Sequence, residues 1–168
     1  MDILIASDTH GRRDRLAEVL RRNGAGILLF LGDGLRDLEV VSEDVTVRAV
    51  RGNCDFTGRD IPESRIENFG TCRVFMTHGH RFGVKSSLTS AICTAAEADA
   101  DILLYGHTHI PFERMLPTGF EIGGCTLKKP LQVFCPGSLG EPRDGIPTFG
   151  TLTIRNGIPL LAHGELQY

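Results

Sequence analysis

The sequence has no apolar run long enough to span a membrane, because a spanning helix needs about 20 consecutive apolar residues. Its first residues lack the basic start, long apolar centre and small-residue cleavage site of a secretory signal. No block of Lys and Arg appears, and the net charge is −3 over 168 residues. That balance argues against a dedicated nucleic-acid or membrane-surface protein, since both usually carry clustered positive charge. The five cysteines, Cys54, Cys72, Cys93, Cys125 and Cys135, are odd in number, widely spread and form no C-x-x-C pair. A disulfide framework or a thiolate zinc site is therefore not expected, and a reducing, cytoplasmic setting is. No internal repeat or low-complexity stretch divides the chain. What remains is a globular balance of 41% apolar and 23% charged residues. A chain of this size buries roughly 70% of its unfolded surface, enough for a core without staples. A single domain over residues 1–168 is expected.

The first half alternates strand and helix signals. The apolar runs Ile3-Leu4-Ile5-Ala6 and Ile27-Leu28-Leu29-Phe30-Leu31 read as buried strands, and Val45 to Val50 as a third. Arg12 to Asn23 carries Leu16, Val19 and Leu20 at helical spacing, with Gly24 where a C-cap belongs. A short helix is expected at Asp37–Val41 and a polar loop at 54–64. Ile66–Phe69 and Cys72–Thr77 flank Gly70 as a hairpin, Ser86–Ala98 reads as a helix, and Asp101–Tyr105 as another buried strand. From Phe112 onward only strands are expected, at Phe112–Leu116, Leu131–Cys135, Phe149–Ile154 and Leu160–His163. This order, βαβ units followed by consecutive strands, predicts an α/β fold with two packed sheets and helices outside.

Short polar motifs stand after these strands: Asp8-Thr9-His10, Gly32-Asp33, Gly52-Asn53, His78-Gly79-His80 and Gly106-His107-Thr108-His109. Ligands of open α/β sheets bind beyond the carboxyl ends of strands. Five of the six histidines fall in these motifs. Asp, Asn and His without thiolate suit borderline divalent ions such as Mn, Fe, Ni, Co or Zn better than calcium. The adjoining glycines permit close backbone approach and positive φ. Singly, Gly-Asp and Gly-Asn are ordinary turn signals. Their joint order, each after a strand, is what points to a metal site.

That order resembles the calcineurin-like metallophosphoesterase superfamily, and within it the small single-domain bacterial and archaeal phosphodiesterases. The likeness runs from Asp8 to Cys135-Pro136-Gly137-Ser138 and Pro142-Arg143, where the family usually has Asn-Pro-Gly-Ser. It implies a four-layer α/β/β/α sandwich of two mixed sheets. It also implies that Asp8, His10, Asp33 and His109 hold one metal, and that Asp33, Asn53, His78 and His107 hold a second, Asp33 bridging. Many members have His after the Gly-Asn, a residue assigned to the leaving group or phosphate. Cys54 stands there instead, as is common in the small phosphodiesterase subgroup.

The resemblance implies a small phosphodiester as substrate and two divalent cations, Mn first among them, sharing a hydroxide at about 3.5–4 Å separation. Asp8, Asp33 and that hydroxide leave the two cations a single net positive charge, which suits a phosphodiester monoanion. Asp33, Asn53 and His80 are the expected catalytic residues, with Cys54, Arg81 and Arg143 as candidate substrate contacts. Phosphomonoesterase or nuclease activity at the same site is the enzymatic alternative. A non-catalytic protein-binding scaffold of the same fold is the other, and it is disfavoured by the intact ligand types. A homo-oligomer, dimer or tetramer, is compatible with the apolar later strands.

Overall fold

A computed structural model describes residues 2–167. Strand β1 (Asp2–Ala6) runs parallel to β2 (Ile27–Phe30), and β2 runs parallel to β3 (Thr46–Ala49). On its other side β1 pairs antiparallel with β11 (Thr148–Arg155), which pairs with β12 (Ile158–Glu165). The first sheet thus has the order β12-β11-β1-β2-β3. The second sheet contains β4 (Ser64–Phe69), β5 (Cys72–Thr77), β6 (Ile102–Leu104), β10 (Leu131–Pro136) and β7 (Pro111–Leu116), in the order β4-β5-β6-β10-β7. Strands β5, β6 and β10 are parallel, with an antiparallel strand at either edge.

The apolar runs explain the packing. Ile3 and Ile5 meet Val74, Met76, Ile102, Leu104 and Phe134 in a core shared by the two sheets. Their neighbours Leu4 and Ala6 point the other way, against Leu16 and Val19 of helix α1 (Arg13–Asn23). A strand buried on both faces needs such an unbroken apolar run. The second sheet repeats the scheme, with Phe75, Leu103 and Val133 packed on Ala91, Ile92 and Ala95 of helix α2 (Thr89–Glu97). Gly24 ends α1 with φ 59°, its N–H donating to the Leu20 carbonyl, as its position in sequence predicts.

The elements depart from expectation where local bonds compete. The short helix expected at Asp37–Val41 is a 3₁₀ turn over Leu35–Val40. It is tightened by the Asp37 N–H donating to the Gly34 carbonyl at 2.8 Å. Helix α2 starts at Thr89 rather than Ser86, because Ser86 and Ser87 donate their N–H groups back to Gly83. A two-residue hairpin, β8 (Glu121–Ile122) with β9 (Cys125–Thr126), is too short to show a period. This hairpin folds onto α2, and it corrects the expectation drawn from the cysteines: Cys93 and Cys125 are joined in a disulfide. Their separation of 32 residues hides a proximity that only the tertiary fold creates. Cys72 and Cys135 are free and buried; Cys54 is free and exposed. Among the described residues no helix is long and apolar enough to cross a membrane.

Candidate metal centre

The parallel strands β1, β2 and β3 end on one edge, and β5 and β6 deliver their own ends beside it. Asp8 and His10 follow β1, Asp33 follows β2, Asn53 follows β3, His78 follows β5, and His107 and His109 follow β6. All seven predicted ligand residues therefore meet at one place. His109 Nε2 lies 3.0 Å from Asp8 Oδ1 and 3.4 Å from His10 Nε2. His78 Nε2 lies 3.3 Å from Asp33 Oδ2, 3.1 Å from Asn53 Oδ1 and 3.2 Å from His107 Nδ1. Asp33 joins the two sets, since its Oδ2 is also 3.9 Å from His10 Nε2.

Tautomers are fixed by the outer partners. His78 Nδ1–H donates to the Leu31 carbonyl at 2.7 Å, and His109 Nδ1–H donates to the Glu141 carbonyl at 2.8 Å. Each Nε2 is thereby turned inward, as in metal-binding histidines. Acceptor atoms set this close repel one another unless a proton or a cation lies between them. Burial works against ionisation of Asp8, yet the adjacent His10 and His109 rings, the charge of His78 and the Ser7 hydroxyl hold its carboxyl well below the usual range. Asp33 is likewise lowered: burial opposes this, but a hydrogen bond and charge from His78 prevail. The Asp8 carboxylate beside it raises the His10 pKa, and burial pushes His107 down to about 4. Asp8 Oδ1 is buried and makes no hydrogen bond. An orphaned buried carboxylate oxygen is costly in a protein interior, and a cation would satisfy it. The groups Asp8–His10–His109 and Asp33–His78–His107 each bring three ligand atoms within 4.8 Å of one another. Chemistry and spacing both fit divalent metal.

The backbone here is strained. Asp8 (φ 54°), His10 (φ 44°), Asp33 (φ 57°), His107 (φ 69°) and His109 (φ 60°) all adopt the left-handed region. Outside glycine this conformation is uncommon and costs of order 1 kcal/mol or more per residue. It turns each side chain sharply inward at a strand end. Two glycines allow the loops to touch. A Cβ on Gly52 would strike Asp33, and one on Gly106 would strike Ser7 and Asp8.

Asp55, which follows the Gly52-Asn53 motif, reads in sequence either as a residue orienting Asn53 and its neighbours or as an ordinary turn aspartate; the other groups that brace the centre carry no such signal. Asp55 is buried, and its carboxylate accepts four backbone N–H groups: Asp33 and Gly52 at 2.8 Å on Oδ2, Gly34 at 2.8 Å and Leu35 at 2.9 Å on Oδ1. It ties the loop after β2 to the loop after β3. Asp37 accepts the Thr9 hydroxyl at 2.5 Å and the Gly11 N–H at 2.9 Å. Asp8 Oδ2 accepts from the Ser7 hydroxyl and the His107 N–H, and Ser138 Oγ donates to the Asp8 carbonyl at 2.8 Å.

The candidate substrate residues lie around the rim. His80 sits 5.4 Å, ring to ring, from His78, with Nε2 3.7 Å from Glu63 and a buried Nδ1 that lacks a hydrogen-bond partner. Arg81 is held by Glu63 at 2.9 Å. Arg143 donates its backbone N–H to the His109 carbonyl at 3.2 Å, which places its loop beside the centre. Cys54 donates its N–H to Asp33 Oδ1 at 2.7 Å, while burial and the Asp33 charge push its thiol up to about 11. His163 lies outside the centre, stacked on Phe134 at 4.3 Å.

Comparison with known proteins follows the same lines. The chain is 32% identical over 158 residues to a probable metallophosphoesterase, YsnB, of Bacillus subtilis, covering 93% of this chain and 86% of that protein. It is 29% identical to the phosphodiesterase YfcE of Escherichia coli, covering 90% and 87%. A crystal structure from Streptococcus pneumoniae, described as a predicted phosphoesterase, superposes with a TM-score of 0.73 at 27% identity, covering 96% and 87%. Residues 1–157 match the family model of the calcineurin-like phosphoesterase superfamily domain, and the chain belongs to that superfamily.

Proposed function

We propose that the protein is a metal-dependent phosphodiesterase acting on small or activated phosphodiesters at a dinuclear centre. The observation that carries this reading is the convergence of seven O- and N-bearing side chains from five strand ends around a buried carboxylate oxygen without a hydrogen bond. Asp8, His10, Asp33 and His109 are assigned to one cation; Asp33, Asn53, His78 and His107 to the other. Bound divalent ions supply Lewis-acid charge at the phosphoryl group and activate water near neutral pH. The chain's own residues do the rest. Asp33 fixes the separation of the two ligand sets, and the Leu31 and Glu141 carbonyls hold His78 and His109 in register. Asn53 donates its amide to Cys54 Sγ at 3.2 Å, which keeps its carbonyl oxygen turned toward His78. His80 faces the departing arm of the substrate. With its pKa up near 11, Cys54 stays a neutral thiol and contributes no nucleophile.

Metal-stripped protein should be inactive on bis-p-nitrophenyl phosphate and regain turnover with Mn, and with Ni, Co or Zn to other extents. It should act more slowly on p-nitrophenyl phosphate and on an oligonucleotide, the net charge of −3 offering no basic track. Absence of turnover with all four ions would overturn the reading. Binding also reports on stability. Mn at a hundredfold excess over its dissociation constant should raise the melting temperature by about 5–10 °C, from about 2.7 kcal/mol of linkage in a domain of this size. An unchanged melting curve at millimolar Mn would contradict the assignment without reference to activity.

A further inference from the structure

Two cavities leave the candidate metal centre in different directions, and one exposed aromatic residue stands on the wall of both. The first, of about 420 Å³, touches His10, Asp33 and Cys54 and extends to Arg13, Arg36 and Phe56. The second, of about 390 Å³, touches Asn53 and His80 and extends to Phe56, Arg59, Arg51 and Arg81. Phe56 is 84% exposed, the most exposed large apolar side chain among the described residues. A monoester has one arm and needs one exit from the metals; a diester has two.

The two cavities differ in charge. In the first, Arg13 faces Glu39 at 3.7 Å, and Asp37 and Glu39 line the wall beside Arg36. In the second, Arg51 and Arg81 share the single carboxylate of Glu63, at 2.8 and 2.9 Å. The Asp55 carboxylate is already engaged by four backbone N–H groups. Arg59 is exposed and has no carboxylate partner among the described residues. The second cavity is therefore positive around a guanidinium that is free to bind. A flat apolar ring beside a free guanidinium suits a planar base that stacks and an anionic group that pairs.

We infer that the substrate is an unsymmetrical phosphodiester of the nucleotide type, with a planar arm stacked on Phe56 and a further anionic group, such as a terminal phosphate, bound by Arg59. This rests on the phosphodiesterase reading above and narrows it to a substrate class. Short linear dinucleotides with a terminal phosphate have this chemistry; dialkyl diesters lack both features.

The test compares Mn-loaded protein on three substrates: bis-p-nitrophenyl phosphate, a dinucleoside monophosphate, and the same dinucleotide with a 5′-terminal phosphate. Wild-type protein should prefer the phosphorylated dinucleotide over its unphosphorylated parent by about tenfold in kcat/KM, the size of a hydrogen bond to a charged group. In Arg59→Gln that preference should fall to near unity, and Arg59→Lys should keep part of it. Phe56→Ala should raise KM for both nucleotide substrates by about tenfold, as loss of one stacked base does, with Phe56→Tyr close to wild type. A wild-type preference near unity, or one that Arg59→Gln leaves intact, overturns the inference while the phosphodiesterase reading stands. Failure to cleave any of the three substrates removes both. The side chains of Phe56 and Arg59 are exposed, so their variants should melt close to wild type.

Discussion

Replacing Asp33 by Asn is expected to lower kcat/KM on an activated phosphodiester by about a thousandfold or more. The substitution keeps the shape of the side chain and the acceptor for the Cys54 N–H, so the loop after β3 retains its anchor. What it removes is the carboxylate that lies between the two ligand sets, 3.3 Å from His78 Nε2 and 3.9 Å from His10 Nε2. Lewis-acid stabilisation by bound metal is worth several kcal/mol, and about 1.4 kcal/mol corresponds to a tenfold change in rate. Metal content measured on the same preparation should fall below two ions per chain. Folding should be slightly weakened at neutral pH, because the lowered Asp33 pKa means its surroundings favour the carboxylate over a neutral group. Retention of a tenth of wild-type activity at saturating Mn would show that Asp33 does not bridge.

Asp55→Ala should produce the largest loss of stability of any single change near the centre, about 4 kcal/mol. It would leave four backbone N–H groups without an acceptor, three of them in buried bonds. Each buried orphan costs about 1–3 kcal/mol, with partial recovery through water. In a chain of this length that predicts a melting temperature lower by roughly 8–16 °C. Asp55→Asn should recover part of this, since its single carbonyl oxygen can satisfy at most two of the four donors. Equal melting of wild type and Asp55→Ala would mean that the two loops are held by something other than this carboxylate. Because Asp55 also anchors the Asp33 N–H, Mn affinity should drop along with stability.

The site was legible because each candidate ligand follows a strand, and three of those strands are unbroken apolar runs. Ile3–Ala6, Ile27–Phe30 and Ile102–Leu104 announce burial on two faces, and the Asp and His residues after them interrupt that pattern abruptly. What the sequence could not convey was support at a distance. Asp55 acts on loops 20 residues upstream, and Ser138 reaches Asp8 across 130 residues. The hairpin β8–β9 has two residues per strand, below the length at which alternation can be seen. Its partnership with α2 through Cys93 and Cys125 is a tertiary event with no local signature. Arg81, expected at a substrate phosphate, spends its charge on Glu63, while Arg59 carries no motif and stands free.

The five left-handed candidate ligands also bear on how such a chain can drift. Torsions that favour Gly or Asn are held here by Asp and His for their chemistry, so the native state sits below the stability its fold could reach. A lineage released from hydrolysis would gain by replacing His10, His107 or His109 with Gly or Asn, and its two sheets would be none the worse. In this architecture catalysis is the feature most easily shed, and the platform beneath it is the part that endures.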